Sequence, residues 1–309
     1  MKKENKATIA VSVGDLNGVG IEIALNAHKE VSQLCHPLYC INNELLTQAA
    51  KLLKREIPED FQTIEVDGSF LIQAGKISKE SGLYSYKSFM QAVALCETQK
   101  ADAVVTLPIH KEAWMLAGLE YKGHTDLLRK HFNQEAIMML GCPEMFVALF
   151  TEHIPLKDVA KSLTYEKLKT FLLDLHDSIQ KEKIAVLGLN PHAGDNGVLG
   201  NEEEIITKVI NTINQEIGFE QFVGPIVPDV AFAPYFRKNY HYYVAMYHDQ
   251  GLAPLKALHF DESVNISLNL PIIRTSVDHG TAFDIAYKNE ANKLSYINAI
   301  KSAIEFIKN

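Results

Sequence analysis

Short apolar runs alternate with longer amphipathic stretches along most of the chain. Thr8–Val13 reads as a strand, followed by a glycine-containing turn and a helix from about Ile21. Pro37–Ile41 and Thr63–Val66 read as further short strands, with a helix near Asn43–Lys54 between them. Apolar residues at helical spacing fill Ser81–Gln99 and lead into Ala103–Leu107, a run apolar enough for a strand buried on both faces. Amphipathic helices are expected at Tyr165–Lys181 and Glu202–Ile217, flanking a strand at Ile184–Leu189. Strands are also expected at Val230–Ala233, Tyr243–Met246 and Val264–Leu268, and Ser295–Ile307 reads as a closing helix. This βαβα rhythm predicts an α/β fold, a mostly parallel sheet with helices on both faces. The 309 residues are enough for one large unit or for two lobes, and no repeat, linker or low-complexity tract marks a boundary.

Three of the apolar runs end on a histidine: Met145–His153 (MFVALFTEH), Ile184–His192 (IAVLGLNPH) and Tyr242–His248 (YYVAMYH). The carboxyl ends of parallel strands are where open α/β sheets bind ligands. Three neutral imidazoles gathered there suit a divalent metal with open coordination positions. A single such histidine is more often a hydrogen-bonded loop residue; the threefold recurrence is what points to a metal.

Other segments carry weaker signals. The turn Gly14–Glu22 joins a strand to a helix, but it has neither the GxGxxG spacing of a dinucleotide fold nor the lysine of a P-loop. It reads equally well as a tight structural turn or as a place where backbone approaches a ligand. Gly123-His124-Thr125-Asp126 precedes a helix expected over Asp126–His131, with Thr125 as the expected N-cap. His124 and the Thr125 hydroxyl would present donors beside that helix start, a seat for an anion. Lys256, Asn265 and Arg274 follow the third histidine and are candidates for binding phosphate or carboxylate.

Composition narrows the class. Hydrophobic residues make up 47% and charged residues 22%, ordinary globular usage with enough apolar material for a substantial core. A net charge of -8 argues against a general nucleic-acid binder. The four cysteines, Cys35, Cys40, Cys96 and Cys142, show no CxxC spacing and read as reduced thiols. After the basic start MKKENK, the apolar stretch Ala7–Val13 meets Gly14-Asp15 too soon for a signal core. The apolar region Ala136–Phe150 is broken by Gly141-Cys142-Pro143-Glu144 and is too short to span a bilayer. A soluble cytoplasmic protein is the expectation, with no membrane partner.

Read together, seven segments resemble, in order, the 4-hydroxythreonine-4-phosphate dehydrogenase family of vitamin B6 biosynthesis. They are Gly14–Glu22, Val104–Ala113 (VVTLPIHKEA), Gly123–Asp126, Ala148–Asp158 (ALFTEHIPLKD), Leu189–Gly194 (LNPHAG), Ala245–Lys256 (AMYHDQGLAPLK) and Val264–Ala282 (VNISLNLPIIRTSVDHGTA). The resemblance implies an isocitrate/isopropylmalate-dehydrogenase-like fold, one catalytic unit of two α/β lobes over residues 1–309. It also implies a homodimer with the active site at its interface. By matching motif, His153, His192 and His248 would bind the metal. His124, Thr125, Lys256, Asn265 and Arg274 would bind the phosphorylated substrate. Asp229 matches an acidic position near the site, and Asp229, His124 and Lys256 are the candidates for relaying the alcohol proton. The segment Asp278-His279-Gly280-Thr281-Ala282-Phe283-Asp284 resembles the cofactor loop of decarboxylating dehydrogenases, which accounts for a nicotinamide enzyme without GxGxxG. Of that loop, Asp278, His279, Gly280, Thr281, Ala282 and Asp284 are the candidate NAD contacts, with NADP as the alternative.

The implied reaction is metal-dependent, NAD(P)-linked oxidation of 4-phosphooxy-L-threonine to 2-amino-3-oxo-4-phosphooxybutanoate, which decarboxylates to 3-amino-2-oxopropyl phosphate. Zinc suits three imidazoles; magnesium, manganese and cobalt are alternatives. Asp284 stands where an acid would favour NAD by hydrogen-bonding the ribose, although a helix-start acid is its ordinary role. The chain departs from the family pattern at Leu16, Asn17 and Ile21, which replace two prolines and an alanine in the first turn, so less turn rigidity is expected. It departs also at His110, Asp126 and Ala286–Asn289, where asparagine, glutamate and a glycine-rich stretch are usual. Two other functions fit the same residues: a dehydrogenase of threonate or erythronate phosphate, and a zinc hydrolase of a phosphorylated substrate.

Overall fold

The computed structural model describes residues 6–308, so the basic start MKKEN read above lies outside the described residues. The chain divides into two compact units: unit 1 is Met1–Gln134 with Val264–Ile266 and Leu270–Asn309, and unit 2 is Glu135–Ser263 with Ser267–Asn269.

The first segment of unit 1 runs β1 (Thr8–Ser12), α1 (Gly20–Leu34), β2 (His36–Cys40), α2 (Asn43–Leu53), β3 (Thr63–Ile64), α3 (Lys79–Glu97), β4 (Ala103–Thr106), α4 (Lys111–Leu116) and α5 (His124–Phe132). Polar residues start the helices where the sequence offers them. Asn42 accepts the Leu45 N–H ahead of α2, and Ser78 accepts the Ser81 N–H ahead of α3. Lys54 closes α2 in the left-handed conformation.

Unit 2 follows as β5 (Ile137–Cys142), β6 (Met145–Leu149), α6 (Val159–Ser162), α7 (Tyr165–Ser178), β7 (Ile184–Leu187), α8 (Glu202–Ile217), β8 (Phe222–Ile226), α9 (Pro234–Arg237), β9 (Tyr242–Ala245) and α10 (His248–His259). The strand expected at Val230–Ala233 is instead a turn leading into α9. Ala231 is fully buried and Phe232 packs against the core from that turn, while Val230 is exposed. The strand of this region is β8, whose sequence FVGPI carries a glycine and a proline that mask it in a propensity reading. The chain ends with β10 (Val264–Leu268), β11 (Ile273–Val277) and α11 (Leu294–Lys308).

Within unit 1, β2, β1, β4 and β11 are consecutive parallel neighbours, with β3 beside β2. Chain order steps outward from β1 to β2 on one side and to β4 on the other. A reversal of that kind places loops on either side of a crevice at the carboxyl ends of β1 and β4. Within unit 2 the order is β5-β6-β9-β7-β8; β5 and β6 form an antiparallel hairpin, and β6, β9, β7 and β8 are parallel. Their inward residues, including Met145, Val147, Leu187 and Tyr243, form one buried cluster with Leu252 and Leu255 of α10. Among the described residues, no helix is long and apolar enough to cross a membrane.

Candidate active site

The loops after β1, β4 and β11 leave neighbouring parallel strands of unit 1 and pack on one another. In the first turn, Asp15 is buried and its Oδ1 accepts the Asn17 N–H at 2.9 Å. Burial raises the Asp15 carboxyl above its ordinary range, against the hydrogen bonds of Asn17 and Ser81 and the charge of His110. The missing prolines are compensated. The Asn17 side chain donates to the Lys76 carbonyl at 2.7 Å and accepts the Gln73 N–H at 2.8 Å, tying the turn to residues 73–76. Val19 N–H donates to the Thr281 carbonyl at 3.0 Å, and a Cβ on Gly18 would stand 2.7 Å from that same oxygen. The first turn is therefore a support for the 278–287 segment.

That segment divides its residues between packing and solvent. Thr281 is buried, while His279, Gly280 and Asp284 are exposed and Asp278 and Ala282 are half-buried. A Cβ on Gly280 would meet nothing, so this side of the loop is open. Asp284 starts no helix: it lies in a run of turns. Phe283 stacks on His110, ring centroids 4.8 Å apart at 17°, so the histidine that replaces the usual asparagine is held by an aromatic face.

A second group forms around Arg274, on β11 and 3% exposed. Its Nη2 donates to Thr106 Oγ1 at 2.7 Å and lies 3.2 Å from His124 Nδ1. Because the guanidinium can only donate, His124 Nδ1 accepts and the ring carries its proton on Nε2. The His124 ring lies edge-on to Phe89 and Trp114, at 4.5 and 5.7 Å. Burial first, and Arg274 second, hold its pKa well below the ordinary value, so the ring is neutral. Its Nε2 is buried without a partner among the described residues, a donor that a bound anion would satisfy. Burial draws Arg274 down to about 9, which leaves it charged at neutral pH.

His124 is the first residue of α5 and Gly123 occupies the N-cap, so Thr125 lies inside the first turn and is not the cap. Asp126 Oδ2 instead accepts the Lys122 N–H at 2.9 Å and closes the helix start. Asn265, on β10, keeps a buried Oδ1 without a partner among the described residues.

The three expected metal ligands belong to unit 2. They follow β6, β7 and β9, which pair in parallel in the order β6-β9-β7, so all three leave the same ends of neighbouring strands. His153 and His248 have ring centroids 5.5 Å apart. His248 Nδ1 is hydrogen-bonded to Asp249 Oδ1 at 2.7 Å, which leaves Nε2 for an ion. His153 and His192 are exposed. Among the described residues, the three do not close into a set with ligand atoms in mutual reach.

His192 opens a run of left-handed residues: His192 (φ 53°), Ala193 (50°), Gly194 (80°), Asp195 (43°) and Asn196 (57°). Four of the five carry a Cβ, at a cost of about 1–2 kcal/mol each. Glu203, 8% exposed at the start of α8, anchors the chain entering this run. Its Oε1 accepts the N–H groups of Leu189 and Asn190 at 2.9 and 2.7 Å, and Oε2 accepts Asn190 Nδ2 at 2.9 Å. A Cβ on Gly194 would come within 2.6 Å of Glu203 Oε2, so this position needs glycine.

Asp229 is exposed in the turn after β8, the next parallel strand beyond β7. Lys256 is half-buried on α10, its Nζ 5.4 Å from the Phe260 ring centroid. Sequence reading missed Thr106 and Glu203. The first is an ordinary strand-end threonine and the second one of three consecutive glutamates, so neither carries a local signal.

The parallel strands, the helices between them and the strand-end loops form a mostly parallel α/β fold of the isocitrate-dehydrogenase-like kind. An isocitrate dehydrogenase from Methylococcus capsulatus superposes with a TM-score of 0.50 at 13% identity, over 97% of this chain and 85% of that one, a likeness of fold. Residues 33–303 match the family described as pyridoxal phosphate biosynthetic protein PdxA, and the chain belongs to that family. The 4-hydroxythreonine-4-phosphate dehydrogenase of Sulfurimonas denitrificans is 69% identical over 300 residues, 97% of this chain and 98% of that protein. A crystal structure of the 4-hydroxythreonine-4-phosphate dehydrogenase from Burkholderia phymatum superposes with a TM-score of 0.83 at 31% identity, covering 97% of this chain and 98% of that one.

Proposed function

We propose that this protein oxidises 4-phosphooxy-L-threonine to 2-amino-3-oxo-4-phosphooxybutanoate with NAD as hydride acceptor, as a metal-dependent homodimer with its active site at the subunit interface. The keto acid then loses carbon dioxide to give 3-amino-2-oxopropyl phosphate. The observation that carries this reading is three histidines at the ends of neighbouring parallel strands, in a chain that matches a named dehydrogenase over nearly its whole length.

The donor set fits a divalent ion: two imidazoles have ring centroids 5.5 Å apart, and one has its second nitrogen tied to a carboxylate. His153, His192 and His248 would hold it, and zinc, manganese, cobalt or magnesium bound there supplies a Lewis acid for the alcohol and keto oxygens. Arg274 and the His124 Nε2 donor bind phosphate oxygens, with Thr125, Lys256 and Asn265 as further partners. Held by its phosphate, the substrate keeps its reacting carbon at a fixed position. His124, being neutral and committed at Nδ1 to Arg274, is a hydrogen-bond donor and not a base. Proton removal from the alcohol falls to Asp229 or Lys256. The exposed face of the 278–284 loop (His279, Gly280 and Asp284) receives the cofactor, and Asp284 favours NAD over NADP by repelling the extra phosphate.

The test is NADH formation from 4-phosphooxy-L-threonine by chelator-stripped enzyme with each metal restored. Turnover only with metal, faster than with threonate or erythronate phosphate, is the expected result. Preference for either of those acids would reassign the substrate. Phosphoester hydrolysis without NADH would replace the dehydrogenase with a hydrolase.

A further inference from the structure

The described residues do close one three-residue metal-ligating set, and it lies apart from the histidines above. Cys142 is the last residue of β5, just before the Pro143-Glu144 turn into β6. His259 is the last residue of α10, and Glu262 follows three positions later. One ligand atom from each of Cys142, His259 and Glu262 falls within 4.8 Å of the others. The elements that carry them share a core, Leu140 of β5 packing in one buried cluster with Leu252 and Leu255 of α10.

Two of the ligand atoms already stand near ligand-to-ligand distance: His259 Nδ1 is hydrogen-bonded to Glu262 Oε2 at 2.9 Å. An ion bound to both atoms would take the place of the proton they share. Cys142 is 2% exposed, and its thiol is pushed up to about 12, mainly by burial and next by the Glu144 carboxylate. It therefore keeps its proton until an ion displaces it.

We propose that Cys142, His259 and Glu262 form a second metal site that binds zinc or another thiophilic divalent ion. A thiolate, an imidazole and a carboxylate together neutralise a doubly charged ion, and the sulfur selects zinc-like ions over magnesium. Ligand atoms around tetrahedral zinc stand roughly 3.3–3.7 Å apart, so closure asks for side-chain shifts of about 1 Å. Glu144 or water completes the fourth position. The ion would fasten the β5–β6 turn to the end of α10, a structural site that takes no part in turnover.

Cobalt reads this site directly, because a thiolate ligand gives a near-ultraviolet sulfur-to-cobalt charge-transfer band and a histidine-only site does not. Metal-free protein titrated with Co2+ under reducing conditions should show the band, in the wild type and in His192→Ala alike. Cys142→Ala should abolish it, and Glu262→Gln should weaken the binding that produces it about tenfold or more. If Cys142→Ala does not fold, His259→Gln decides in its place: loss of the band supports the site and an unchanged band overturns it. Absence of the band from wild-type protein, or its survival in Cys142→Ala, also overturns the proposal.

Discussion

Arg274 is 3% exposed with Thr106 and His124 within 3.2 Å, whereas His192 is exposed on a loop of left-handed residues. Both are expected to contact ligand, yet they are prepared for it differently. The Arg274–Thr106–His124 group is built before any ligand arrives: the charge is buried, its partners are strand and helix residues, and the imidazole tautomer is set. The histidines of unit 2 share strand ends but not a closed geometry. An anion can thus dock on fixed donors, while a metal must complete its own ligand shell and carry the cost of ordering it.

Arg274→Ala tests the fixed side of this contrast and should have the largest effect. Removing the guanidinium leaves Thr106 and His124 without their donor and should lower kcat/KM on the order of 10³-fold, mostly through KM, since losing one partner of a desolvated charge contact costs about 2–5 kcal/mol. Steady-state kinetics and a urea melt would measure both losses. A fall below tenfold would mean that the phosphate sits elsewhere.

His192→Ala tests the adaptable side. Metal affinity should fall roughly 10²-fold, about 2.7 kcal/mol, with the melting temperature of the metal-free protein nearly unchanged, because the side chain is exposed. Competition with a chelating dye measures the first quantity and calorimetry the second. Unchanged affinity would remove His192 from the ligand set.

The next effect is a pH slope. His124 has a folded-state pKa well below its ordinary value, so below about pH 6.5 the unfolded chain takes up a proton that the native state refuses. Stability should therefore fall as pH drops through that region, by up to about 1.4 kcal/mol per pH unit, and be flat in this respect above it. His124→Gln should lessen the slope in urea melts taken between about pH 5 and pH 7. A slope the same in both proteins would show that the ring is protonated in the native state.

Ala193→Gly should give the smallest change. It relieves one left-handed residue at a cost in unfolded-chain entropy, for a net gain of about 0.5–1 kcal/mol. If stability falls instead, the Ala193 methyl group contributes packing that outweighs the backbone strain.

The same contrast governs what could be read from the sequence. Strand ends are local, so the placement of His153, His192 and His248 was visible, as was nearly every element with clean periodicity; α8 falls on Glu202–Ile217 as expected. Arg274 was visible as a cation, but its partners Thr106 and His124 lie 168 and 150 positions away, and only the register of β4 against β11 brings the first of them near. Left-handed backbone at His192, Ala193, Asp195 and Asn196 was invisible because none of these is glycine. Glu203, from the start of α8, fixes only the chain that enters this run, at Leu189 and Asn190. The Cys142 set was hidden for a similar reason, since its cysteine has no ligand-type neighbour at a recognisable spacing and meets His259 only through the packing of α10 near β5.

Unit 1 is discontinuous in the chain, and a ribosome meets that fact as a schedule. Glu135–Ser263, almost all of unit 2, leaves the exit tunnel as one uninterrupted stretch. Unit 1 cannot be finished at that time, because β11, which pairs with β4, and α11, whose Ala299 carbonyl accepts the Thr275 hydroxyl at 2.8 Å, are translated after unit 2. Until then β4 is an open edge and Thr106 awaits its guanidinium. Arg274 is thus delivered after all three strand-end histidines, so a chain cut short before it would keep them but lack the buried cation. On the proposed reading, phosphate recognition would therefore come only after unit 2 has been made.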